Sequence, residues 1–200
     1  MGFASWGRTD TRVLTGMLGI AFVIEAFWGL VLPLLHVAGA LDVVSTRDVL
    51  VNPNVGTDLA EADGMKLSVS ESATLKVADP SLGERVLLDL PAVFYAVLIL
   101  LGIYWLFLVA RTLGAGDPFA PRNPFRLFGI AALIVVGTFG DSLLTGITTH
   151  QLVAGTSLEE HVPFSVDFSF LPLVVAALVA AVAEAFRIGV RLREDTEGLV

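Results

Sequence analysis

The sequence predicts an integral membrane protein of mainly α class. It reads as a four-transmembrane-helix bundle with a small extracytoplasmic β-rich element between helices 1 and 2, and with both termini cytoplasmic. Three observations predict this. Hydrophobic residues make up 55% of the 200, charged residues 16%, and the mean hydropathy is +0.80, outside the usage of soluble domains. Four runs approach the roughly 20 apolar residues that cross a bilayer. Arginines gather in the short segments on one side of those runs.

The first run covers 13–37, the second 90–110, the third 127–149 and the fourth 168–186. Thr9, Asp10 and Thr11 offer caps before the first. The second begins near Pro91. Asn123 followed by Pro124 has the form of an N-cap with proline at the first helical position, and Ser169 with Pro172 opens the fourth in a similar way. Trp6, Tyr95 and Trp105 suit the membrane interfaces. Ala38, Gly39 and Ala40 imitate a cleavage site, but the apolar stretch before them is much longer than a secretory core, so a retained helix is expected.

Orientation follows from charge. With both termini inside, the inner segments hold Arg8, Arg12, Arg111, Arg122, Arg126, Arg187, Arg191 and Arg193. The outer ones hold four basic residues diluted among twelve acids. The outer insert, 40–88, has a different character. MKLSVS and TLKVAD each alternate apolar with polar and read as a hairpin; LDVVSTRDVLV and ERVLLDL read as further strands. So small a sheet needs support, expected from the helix ends and the second outer loop, 150–167.

Two acids lie deep inside the apolar runs, where a charge costs at least ~2.5 kcal/mol and marks a functional-site hypothesis. Glu25 stands midway along the first run and Asp141 at a similar depth in the third, so the two can meet. Thr138, Asp141, Ser142, Thr145 and Thr149 share one face of the third helix, and Tyr104 comes near the same depth on the second. Small residues line the fourth helix in two rows, Ala176 with Ala180 and Ala177 with Ala181 and Ala185. With no basic residue expected at that depth, Glu25 and Asp141 form either a proton or cation site or a hydrogen-bonded device that glues helices together. Polar residues continue outward from Asp141 but hardly inward, which favours a pocket open to the outside over a through-path. Glu184, one turn before Arg187, reads as half of an i to i+3 pair.

The absences are informative as well. Without cysteine there is no disulfide, thiolate metal site or thiol chemistry. His36, His150 and His161 all map outside and are weak metal candidates, since none of the usual ligand spacings occurs; no metal is expected. No phosphate-binding, dinucleotide, nucleophile-elbow or zincin motif is present, so no cofactor and no enzymatic activity are expected. The net charge of -8 argues against direct nucleic-acid binding.

Two stretches at the inner face, GAGDPFAPRNPFRL (114–127) and FRIGVRLREDTEGLV (186–200), carry a resemblance. In Gly116, Pro118, Phe119, Asn123, Arg126 and Leu127, and in Phe186, Gly189, Leu192, Glu194, Asp195 and Val200, the chain resembles the prokaryotic membrane family called domain of unknown function 2975. The resemblance implies four spans with a larger outer segment after the first. It implies no settled biochemical activity, and a small helix-turn-helix regulator as partner. Physically these stretches form an inner cap: either the tail is an amphipathic extension of the fourth helix, or its Phe186, Gly189 and Leu192 stripe folds back under the bundle as a docking surface. The expected function is therefore a non-enzymatic membrane regulatory or accessory protein. It binds a partner or ligand through its outer β element and its cytoplasmic loop and tail. The alternative is a small proton- or cation-coupled transporter using the intramembrane carboxylates. Beyond the lipid bilayer and such a protein partner, self-association is compatible with the sequence.

Overall fold

A computed structural model describes residues 8–41, 45–51, 61–62, 65–66 and 72–197. Four helices are long and apolar enough to cross a membrane, Thr9–Val37, Leu82–Gly114, Asn123–Val153 and Leu171–Thr196, consistent with a multi-pass helical membrane protein. In chain order the elements are α1 (Arg8–Ala26), a π-helical turn (Phe27–Val31), α2 (Leu32–Val37), β1 (Ser45–Leu50), β2 (Glu61–Ala62), β3 (Met65–Lys66) and β4 (Ser72–Val77). The long helices α3 (Leu82–Gly114), α4 (Asn123–Val153) and α5 (Leu171–Glu197) follow.

The first span departs from the single helix expected over 13–37. Pro33 has no N–H to offer the carbonyl of Gly29, and the chain absorbs the missing bond by widening one turn, with the N–H of Leu32 donating to the carbonyl of Phe27 five residues back. Thr9, Asp10 and Thr11 fall inside the first turn of α1 rather than before it, where Asp10 suits the positive helix end. Trp6 and Val200 lie outside the described residues.

The larger correction concerns ERVLLDL. It is helical, and α3 starts at Leu82 rather than near Pro91. Ser81 and Glu84 form a capping box: the Ser81 N–H donates to the Glu84 carboxylate at 2.7 Å, and the Glu84 N–H reaches back to the Ser81 hydroxyl at 3.4 Å. Ser81→Ala is expected to cost about 1 kcal/mol and to raise amide exchange in the first turn of α3 alone. Unchanged exchange there would show that the box does not hold the helix start.

The strand pairing also differs from the expected hairpin. β4 pairs antiparallel with β1, Val49 opposite Ala73 and Arg47 opposite Leu75, while β3 pairs with β2. The second half of MKLSVS, 67–70, lies outside the described residues. Burial selects the β1–β4 pairing. Val49 is buried with Val153 and Val162, and Val51 and Leu75 pack against them, so the loop after α4 does support the sheet.

Within the described residues the chain forms two compact units. The helical unit comprises the described residues of Met1–Leu32, Val93–Gly140 and Phe168–Val200; its core joins Val109, Leu127 and Ala183 with Leu113, Ile130 and Phe186. Of the two expected small-residue rows on α5, Ala176 and Ala180 turn inward and Ala177, Ala181 and Ala185 are exposed. The β-bearing unit comprises the described residues of Pro33–Ala92 and Asp141–Asp167.

Candidate functional site

The β-bearing unit contains a partly open cavity of about 290 Å³. Asp48, Val49 and Leu50 of β1 line one wall, Asp141, Ser142, Thr145, Gly146 and Thr149 of α4 another, and Val162, Pro163, Ser165 and Asp167 a third. The polar face foreseen on the third helix is thus the wall of a pocket. The approach is close at Gly146, where a Cβ would come within 2.7 Å of the Ser165 carbonyl. Ser142 Oγ donates to the carbonyl of Asp167 at 2.5 Å, and Thr74 Oγ1 donates to Asp48 Oδ1 at 3.0 Å. Thr138 stands outside this wall, its hydroxyl donating to the Ile134 carbonyl one turn back at 2.8 Å.

The group that organises the unit is Arg47. Its Nη1 donates to Thr148 Oγ1 at 2.7 Å and Thr149 Oγ1 at 3.2 Å, and its Nη2 donates to the carbonyls of Leu87 at 2.9 Å and Leu88 at 2.5 Å. The Leu87 carbonyl is the one that Pro91, four residues on and lacking an N–H, leaves without a helical donor. A strand arginine therefore completes a proline break in α3 while holding the buried hydroxyls of α4. Burial lowers the Arg47 pKa from its ordinary value, and the carboxylates of Asp89 and Asp141 oppose that shift. A guanidinium stays charged regardless. Asp141 thus has a cationic neighbour, contrary to the expectation of none.

Glu25 belongs to the helical unit, its carboxylate lying against Gly29 one turn further along the same chain segment. The half-exposed ring of Tyr104 is in that unit too. The histidines have separate engagements. His36, 9% exposed, places Nδ1 2.7 Å from Asp89 Oδ2; His161 Nδ1 lies 3.1 Å from the Ser157 carbonyl; and His150 meets the Phe164 ring edge to face. Among the described residues no three His, Asp or Glu side chains converge as metal ligands.

The loop and tail pack on each other within the helical unit. Asn123, 0% exposed, donates through Nδ2 to Thr112 Oγ1 at 2.7 Å and to the Pro118 carbonyl at 3.1 Å, and accepts from Arg126 Nη1 at 3.1 Å. Its side chain binds the loop rather than capping α4 in the expected manner. Phe119 meets Phe186 in a tilted ring contact at 6.0 Å, and a side chain at Gly189 would strike the Phe119 ring. Arg193 pairs with Asp117 at 2.5 Å, and Arg187 with Glu184 at 2.8 Å, the i to i+3 pair foreseen. α5 continues through this region to Glu197, so the described part of the tail extends the helix. Leu192, 61% exposed, with Glu194 and Asp195, stays on the surface.

Sequence reasoning missed Arg47 and Asp48. One signal for Arg47 was present: it shares a strand face with buried Val49, and Pro91 within a helix demands an outside donor. Comparison with protein-family models, curated proteins and solved structures gives no match.

Proposed function

We propose that this is a non-enzymatic regulatory or accessory protein of the cell membrane, with both termini cytoplasmic. Its β-bearing unit binds a ligand outside the membrane, and its loop and tail engage a cytoplasmic protein. The observation that carries this reading is the position of Arg47. One side chain beside an acidic cavity joins β1 to the proline break of α3 and to α4, so an event at the cavity wall is coupled to two helices. The concentration of arginines in the segments that flank the spans supports the orientation. The resemblance in the loop and tail suggests a small helix-turn-helix regulator as the inner partner.

The second reading is proton or cation coupling through Glu25 and Asp141. It is favoured by the place of Asp141 in a cavity wall, and opposed by the guanidinium beside it, which repels a cation. A photo-crosslinker at Leu192 tests the first reading. Irradiation of whole cells is expected to give one discrete adduct, absent when the probe stands at Val174, exposed within the apolar part of α5. No adduct from positions 192, 194 or 195 would remove the support for an inner partner.

A further inference from the structure

We infer that the helical unit carries a binding site for one anionic phospholipid, its acyl chain lodged between α3, α4 and α5 and its phosphate held by arginines at the helix ends. An open groove of about 420 Å³ is lined by Ile99, Gly102 and Leu106 of α3, Leu127 and Ile130 of α4, and Val182 of α5, with no polar surface. A second cavity of about 110 Å³ shares Ile99, Gly102 and Ile130 and continues the seam towards Tyr95. An apolar void of 150 Å³ already accepts benzene, so a space nearly three times as large, within spanning segments, accepts hydrocarbon. Gly102 leaves the seam wide: a Cβ there would meet nothing within 4 Å.

Charge specifies the rest of the molecule. Each of the three lining helices carries an arginine towards the same end of the seam: Arg111 is five residues beyond Leu106, Arg187 five beyond Val182, and Arg126 immediately precedes Leu127. Five residues of helix are about 7.5 Å, within reach of an arginine side chain. Some of this charge is in use. Glu184 offsets Arg187, and Arg126 Nη1 is committed to the Asn123 side chain and the Leu108 carbonyl. The side chain of Arg122, exposed one turn before Arg126, makes no hydrogen bond or ion pair among the described residues, and that of Arg111 overlies the Phe107 ring at 6.0 Å. Phe125, 74% exposed between Arg122 and Arg126, is an aromatic anchor of the kind found at headgroup depth. Basic pockets between spanning helices take anionic headgroups, and the guanidinium fork matches a phosphate better than an ammonium does. An apolar seam ending in unsatisfied guanidinium groups fits an anionic phospholipid and fits a zwitterionic one less well.

Native mass spectrometry of the detergent-solubilised protein, with phosphatidylglycerol and phosphatidylcholine of identical chains, tests the site. Phosphatidylglycerol is expected to remain bound under activation that strips phosphatidylcholine. Gly102→Leu fills the seam in open space and is expected to abolish the retained lipid with thermal unfolding unchanged. The pair Arg111→Gln and Arg122→Gln leaves the seam intact and is expected to weaken phosphatidylglycerol alone, by at least about tenfold. Equal retention of the two lipids, retention in Gly102→Leu, or a dimer that Gly102→Leu dissociates would each overturn the proposal. The arginine pair keeps it testable should Gly102→Leu fail to fold.

Discussion

Arg47→Ala is expected to lower the stability of the β-bearing unit by about 3 kcal/mol, because hydrogen bonds to a charged group contribute roughly 1.5–3 kcal/mol and four acceptors lose their donor together. Arg47→Lys recovers little of this. A single ammonium cannot span both the Leu87 and Leu88 carbonyls and the Thr148 and Thr149 hydroxyls, as a planar fork does. The loss is read as faster amide exchange across 45–50 and 82–92. A second substitution isolates the cause. Pro91→Ala returns an N–H to the Leu87 carbonyl, so in the Arg47→Ala background it restores part of the lost protection in α3 and none in β1. If Pro91→Ala costs the same in both backgrounds, the guanidinium is not completing the proline break.

Asn123→Ala is expected to cost about 2 kcal/mol, as a fully buried amide that serves three partly buried partners at once is removed. The effect is local to the loop. Arg126 loses one acceptor, the Pro118 carbonyl is released, and the chain before α4 opens. Trypsin cleavage after Arg122 in the folded protein is therefore expected to rise about thirtyfold, the factor that about 2 kcal/mol supplies when cleavage follows local opening. Unchanged cleavage would show that the tilted contact of Phe119 with Phe186 and the Arg193–Asp117 pair hold the loop without Asn123.

The four long helices were legible because each depends on a window of some 20 apolar residues, a signal that no single side chain can overturn. The insert was not, because its signals are short and compete. ERVLLDL has the composition of a strand, yet the Ser81–Glu84 box and continuity with the next span make it a helix, and the box was readable as S-x-x-E. MKLSVS and TLKVAD alternate equally well. The choice of β1 as partner for β4 depends on Val153 and Val162, some 100 residues away, which no local pattern contains. At the site, the shared face of Asp141, Ser142, Thr145 and Thr149 follows from helical spacing alone. The wall that faces it, Asp48 with Arg47 beside it, depends on strand register and proved invisible for that reason.

The most direct measurement is proton and cation flux into proteoliposomes of the native protein, Glu25→Gln and Asp141→Asn, with thermal unfolding followed in parallel. A regulatory protein whose Asp141 faces a guanidinium is expected to pass no more current than protein-free vesicles, and Asp141→Asn is expected to change stability without changing flux. Flux in the native protein that both substitutions abolish while the fold persists would contradict this and make the two carboxylates a transport path.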